Sequence, residues 1–209
     1  MISPVISLLA IVLSSILTEN YVLAQSIGIC PFLGVSKKTG TAVGMSLAVT
    51  FVMTMAVAVT WPIQHFVLEK FGLEYLQTIV FILVIAALVQ LVEAILKKYV
   101  PALYRALGVY LPLITTNCAV LAVTVLCAGR TGTVIYGNTY GFGSALVNAL
   151  GSGAGYMVAM VLFSGVRQKM ENSDVPEFLK GMPITLIAAS ILALSFLGFG
   201  GMVENLLGV

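Results

Sequence analysis

Ile16-Leu17-Thr18-Glu19-Asn20 and Leu113-Ile114-Thr115-Thr116-Asn117 are two versions of one short pattern, each setting polar residues inside a long apolar run. The runs cover residues 4–35 and 101–128. A continuous helix over the first would rise about 48 Å, against a bilayer hydrocarbon core of about 30 Å. It must break or re-enter. Gly28, Pro31 and Gly34 are the candidate breakers in the first run, and Gly108 and Pro112 in the second. Polar groups at that depth need partners, because hydrocarbon supplies none.

Four further apolar runs lie at 41–62, 75–96, 141–166 and 183–203. Across the 209 residues, 60% are hydrophobic and 9% charged, whereas soluble domains carry about a quarter charged residues. This composition specifies an all-α polytopic membrane protein of six transmembrane helices. The net charge of +2 is small and dispersed, with no basic run to suit nucleic acid. The first run lacks a basic leader and a small-residue cleavage site, so it reads as a retained span.

Each polar patch opens a block of three spans, and an odd number of crossings turns the second block upside down relative to the first. The expected organisation is two inverted three-helix repeats, residues 1–98 and 99–209, with discontinuous first and fourth helices. Such repeats place a functional site near the midplane, where the broken ends face each other. Loops on one side hold Lys37, Lys38, Lys97, Lys98, Arg105, Arg167, Lys169 and Lys180, and the side of the termini holds Lys70 and Arg130. The positive-inside rule makes the first group cytoplasmic and both termini external.

Cys30 lies in the interrupted first run and Cys118 in the interrupted fourth. Free buried cysteine is commonly inert packing. A cysteine beside an irregular stretch differs, since backbone N–H groups released from a helix can stabilise a thiolate. Both are therefore candidates for a metal or redox role, whereas Cys127, near a helix end, reads as packing. Two thiolates complete neither an iron–sulfur cluster nor a tetrahedral metal site. His65, the one histidine, falls in an outside loop beside Trp61 and Pro62, so two more ligands must come from another chain.

Glu19 and Glu93 are the acidic residues nearest the membrane interior. Glu93 stands four residues before Lys97, spacing suited to an ordinary ion pair. Glu19, deep in a span, is a candidate for cation passage or proton relay; the alternative is hydrogen bonding that stabilises the broken segment. Gly141-Phe142-Gly143 and Gly151-Ser152-Gly153-Ala154-Gly155 lack the Lys-Ser/Thr ending of a phosphate loop and suit close helix packing. Trp61, Tyr75, Tyr99 and Tyr104 stand near span ends as interfacial anchors.

Several motifs resemble a known family. Gly28-Ile29-Cys30-Pro31-Phe32-Leu33-Gly34-Val35-Ser36-Lys37-Lys38, Pro101-Ala102-Leu103-Tyr104-Arg105-Ala106-Leu107-Gly108 and Leu111-Pro112-Leu113-Ile114-Thr115-Thr116-Asn117-Cys118-Ala119 are similar to the A subunits of Rnf electron transport complexes. Ser173-Asp174-Val175-Pro176 and the Gly141-Phe142-Gly143 region also match. The D and E subunits of the sodium-pumping NADH:quinone oxidoreductase share the pattern, and Pro31 and Thr116 favour Rnf over the latter of these.

The resemblance implies an ion-motive ferredoxin:NAD oxidoreductase in a prokaryotic cytoplasmic membrane, built from A, B, C, D, E and G subunits. It implies that the A subunit pairs with the homologous, oppositely oriented E subunit, each giving two cysteines to one intramembrane [2Fe–2S] cluster. Cys30 and Cys118 match those ligand positions, and Cys127 inherits no role. The implied mechanism is electron relay across the membrane, coupled to transport of sodium or protons. A secondary transporter is the rival class, since it too uses inverted repeats and broken helices.

Overall fold

A computed structural model describes residues 4–36, 39–72, 74–99, 111–135, 138–171, 176 and 179–200. Lys37, Lys38, the 101–108 motif with its Gly108 and Tyr104, residues 173–175 and the final stretch from 201 lie outside the described residues.

The first apolar run forms α1 (Pro4–Leu13), which widens into a π-helical turn at Ser14–Thr18 and stops at Glu19. A non-helical stretch follows as far as Gly28, and α2 occupies Ile29–Val35. Helix α3 begins at Thr39 and runs to Ile63, continuing through a π segment at Gln64–Leu68 and a last turn at Glu69–Phe71. Helix α4 spans Gln77–Tyr99. The fourth run gives α5 (Leu111–Thr115) and, after Thr116 and Asn117, α6 (Cys118–Gly129). A two-residue antiparallel ribbon pairs Val134–Ile135 with Asn138–Thr139. Helix α7 covers Phe142–Glu171 and α8 covers Met182–Leu197.

Apart from that ribbon the described architecture is helical. Three helical stretches are long and apolar enough to cross a membrane, Thr39–Phe71, Gln77–Ile95 and Phe142–Met170. Shorter apolar stretches lie at Ser7–Thr18, Leu113–Gly129 and Met182–Leu197.

Both interruptions occur, and their positions correct the assignment of the breakers. Pro31 and Gly34 lie inside α2 and Pro112 inside α5. Pro31 falls in a first turn, where no intrahelical N–H bond is lost. As expected, the first break ends at Gly28, whose φ of +82° is a left-handed conformation natural to glycine. The second lies at Thr116 and Asn117, where Asn117 caps α6 by accepting the Ala119 N–H at 3.0 Å.

Two other expectations fail. His65 is not in a loop: the helix passes Pro62 and continues as a π segment that carries the imidazole. The imidazole is half-exposed and pairs with Glu69 one turn on, at 2.9 Å. Glu93 and Lys97 share a helix, yet among the described residues they do not come within ion-pair distance; a flexible pair on a helix surface gains too little to be held together.

Helix α7 is the axis of the packing, and its glycines let neighbours approach as the sequence leads one to expect. A Cβ on Gly151 would lie 3.2 Å from Val12 Cα, and one on Gly153 would lie 2.7 Å from Thr50 Oγ1. At Gly155 it would lie 2.9 Å from the Ser15 carbonyl oxygen. Backbone-to-backbone approach of this kind replaces hydrophobic driving force inside lipid. The buried centre gathers Met45, Val49 and Val57 of α3, Val120 and Val123 of α6, and Phe163 of α7. Lipid-type exposure marks the opposite faces, for example Leu83 and Leu194 at 68% each.

Candidate functional site

Halfway along α7, at Gly155 and Tyr156, both interruptions meet the same helix. Asn20 closes the first break: its Oδ1 accepts the N–H groups of Val22 and Leu23 at 3.2 and 3.3 Å, and its Nδ2 donates to the Gly155 carbonyl at 3.0 Å. Asn117 closes the second, and its side chain faces the Tyr156 hydroxyl. The asparagines of the two similar sequence patches thus do the same local work, each accepting the N–H two residues on.

The starts of α2 and α6 touch. A Cβ on Gly28 would lie 2.9 Å from Ala119 Cβ and 3.1 Å from Asn117 Oδ1, so only glycine lets the two helix starts come this close. Cys30 sits in the first turn of α2 and Cys118 is the first residue of α6. From this junction the short helices diverge, α6 ending beside Arg130 and α2 ending near Arg167. Arg167 of α7 fixes the far end of α2 by donating to the Leu33 carbonyl at 2.6 Å and to Ser36 Oγ at 2.9 Å, a cation placed where the helix dipole is negative. The Phe32 ring stacks on Phe163 at 4.1 Å and fixes its flank.

Both thiols are exposed. The contact of Cys118 Sγ with the Thr116 carbonyl, at 3.9 Å, is too long to hold the group. Each cysteine lies among first-turn N–H groups that have no intrahelical acceptor and favour negative charge nearby. Cys127 differs in every respect: it is 1% exposed, receives the Tyr140 hydroxyl at 3.3 Å and the Asn148 amide at 3.6 Å, and points at the Ala145 carbonyl at 3.8 Å. Its thiol is fully occupied, as a packing role requires.

Among the described residues no group of three or more His, Cys, Asp or Glu side chains gathers around a point. The chain itself offers two exposed thiols, each at the start of one of two touching helices. Two thiols fit half of the four-thiolate donor set of an iron–sulfur cluster.

Glu19 forms a bidentate ion pair with Arg130, at 2.6 and 2.9 Å. Arg130 follows α6 and Glu19 ends the π turn, so the pair ties the first break to the C-terminal end of α6. This geometry favours the stabilising alternative for Glu19, and sequence reasoning missed Arg130 because the partners lie more than a hundred residues apart. An Arg130→Met variant strands the carboxylate in a part-buried setting, while Glu19→Gln with Arg130→Met removes both charges. The single variant is expected to lower the thermal midpoint of the purified protein more than the double; the reverse order would show that the ion pair does not stabilise this junction.

A family profile described as "Rnf-Nqr subunit, membrane protein" matches residues 8–203. The chain is 53% identical over 196 residues to the A subunit of the Na(+)-translocating ferredoxin:NAD(+) oxidoreductase complex of Acetobacterium woodii, covering 94% of this chain and 98% of that protein. It is 51% identical over 199 residues to the A subunit of the ion-translocating oxidoreductase complex of Syntrophotalea carbinolica, with 95% and 99% covered. Identity to the A subunit of the proton-translocating ferredoxin:NAD(+) oxidoreductase complex of Clostridium ljungdahlii is 46% over 198 residues, with 95% and 98% covered.

Proposed function

The chain belongs to the Rnf-Nqr family of membrane proteins, and from that premise we propose that it is the A subunit of an ion-translocating ferredoxin:NAD oxidoreductase in a prokaryotic cytoplasmic membrane. The observation that carries this reading is the junction of α2 and α6, where two exposed cysteines start from touching helix ends at mid-height of a membrane-long helix. Cys30 and Cys118 would hold half of a [2Fe–2S] cluster, and the homologous E subunit would supply the other half. When bound, that cluster supplies one-electron redox chemistry within the lipid.

The chain's own residues do the rest. Gly28 lets the two starts approach, Asn117 caps α6, Asn20 holds the first break against α7, and Arg167 anchors α2 from its far end. The Phe32–Phe163 stack shields the flank of α2 from water. First-turn N–H groups at both helix starts offer hydrogen bonds to sulfur charge.

On this reading there are six crossings, with α1–α2 and α5–α6 as the two discontinuous ones, in inverted repeats over 1–98 and 99–209. Support comes from the matched roles of Asn20 and Asn117 and from the divergence of α2 and α6. The bias of basic residues sets both termini outside. The B, C, D and G subunits complete the complex.

Purification from native membranes tests the assignment. The chain is expected to come with other oxidoreductase subunits in a coloured preparation that reduces NAD with ferredoxin. A colourless chain that purifies alone and transports solute unaided would make it a secondary transporter instead.

A further inference from the structure

Helix α7 carries Ser144, Asn148, Ser152 and Tyr156 at intervals of four, so all four share one face. All are buried, at 8%, 1%, 3% and 2% exposure. From Ser144 to Tyr156 the stripe rises about 18 Å, more than half of a hydrocarbon core of about 30 Å. Ser152 is satisfied within the helix, donating to the Asn148 carbonyl at 2.7 Å, so the stripe turns on Asn148 and Tyr156.

The stripe's outer part is a closed hydrogen-bonded set. Ser15 Oγ donates to Asn148 Oδ1 at 2.5 Å, Asn148 Nδ2 donates to the Tyr140 hydroxyl at 2.9 Å, and Tyr140 donates to Cys127. Farther in, partners run out. The Tyr21 hydroxyl faces Ser152 and the Tyr156 hydroxyl faces Asn117, yet the Tyr21 and Tyr156 hydroxyls and Asn117 Nδ2 are fully buried without a hydrogen-bond partner among the described residues. Leaving three such groups bare costs too much to be tolerated at one place. Water, which both donates and accepts, would satisfy all three.

One turn beyond Tyr156 the same face becomes apolar, with Met160 and Phe163 both at 0% exposure and Phe163 stacked on Phe32. The polar path therefore has an end. The Glu19 carboxylate beside the path is paired with Arg130.

We propose that the Ser144–Tyr156 stripe is a water-bearing half-channel that leads protons from the Arg130 side to the start of α6 and stops at Met160. Its use as a proton path rests on the redox reading of the cysteines, since positive charge must reach a site that gains electrons in a low-dielectric medium. The water itself does not rest on that reading.

X-ray hydroxyl-radical labelling of the intact complex tests the path, because radicals made from bound water oxidise the side chains beside it. Tyr156 is expected to be labelled despite its burial, and Met160, intrinsically the more reactive side chain, to stay protected. Protection of Tyr156 overturns the path, and labelling of Met160 overturns its closed end. In vesicles, Tyr156→Phe in the whole complex is expected to cut proton uptake per NAD reduced several-fold while the iron–sulfur EPR signal persists. Unchanged uptake overturns the transport role. Failure of the cysteine assignment would show separately, as an EPR signal that survives Cys118→Ser.

Discussion

Cys118→Ser, introduced into the whole complex, is expected to abolish the iron–sulfur EPR signal assigned to the membrane part and to bring ferredoxin-dependent NAD reduction down to background, with the complex still assembled. Cys118 is exposed and its thiol makes no firm hydrogen bond, so the exchange removes little that stabilises the fold, about 0.5 kcal/mol or less for an exposed site. Asn117 still caps the helix start, and a serine hydroxyl is a poor ligand for iron. The loss is therefore chemical, and it separates from unfolding by the intact thermal midpoint. Cys30→Ser should do the same, because both thiols belong to one junction. Cys127→Ser is the internal control: its partners Tyr140 and Asn148 can hydrogen-bond a hydroxyl equally well, so the signal should remain. A cluster signal unchanged in Cys118→Ser, or lost in Cys127→Ser alone, would remove the ligand assignment.

That Cys30 and Cys118 stand beside breaks was legible because each sits in an apolar run too long for one crossing, and excess length inside a membrane has few outlets other than a break. Where the breaks fall was less legible. Proline and glycine mark positions that helices avoid on average, but Pro31 lies in a first turn, where proline is welcome. Among the described residues only Gly28 combines a left-handed backbone with a crowded neighbour, and neither property is written in the local sequence. The same limit hid Arg130 from Glu19 and Arg167 from Leu33, since both contacts join segments distant in the chain. Asn20 and Asn117 were visible as a repeated pattern, but their work as turn and cap residues depends on Gly155 and Ala119 being where they are. The polar stripe of α7 could have been found by counting fours through Ser144, Asn148, Ser152 and Tyr156; the glycines beside it drew attention to packing instead.

Gly155→Ala should be among the most damaging small substitutions in α7, and Gly155→Leu should prevent accumulation of the folded complex. An added methyl at 155 meets backbone on the neighbouring segment, Ser15 O at 2.9 Å and Ile16 Cα at 3.2 Å, and backbone cannot swing aside as a flexible side chain does. Overpacking of this kind costs about 1–3 kcal/mol, occasionally more, against about 1 kcal/mol gained by replacing glycine with alanine inside a helix. The strain falls on the π turn of α1 and on Asn20, whose amide binds the Gly155 carbonyl, so the first break shifts together with the segment leading to Cys30. Gly165 supplies the comparison within the same helix: nothing lies within 4 Å of its added Cβ, and Gly165→Ala should leave the thermal midpoint unchanged or slightly raised. If Gly155→Ala matches Gly165→Ala in thermal midpoint and in EPR signal, α7 does not hold the two breaks in register, and the cysteine junction must be fixed by the partner polypeptide instead. That outcome would make the half-site a product of assembly, whereas the close contact of Gly155 with α1 argues that it is built before the partner arrives.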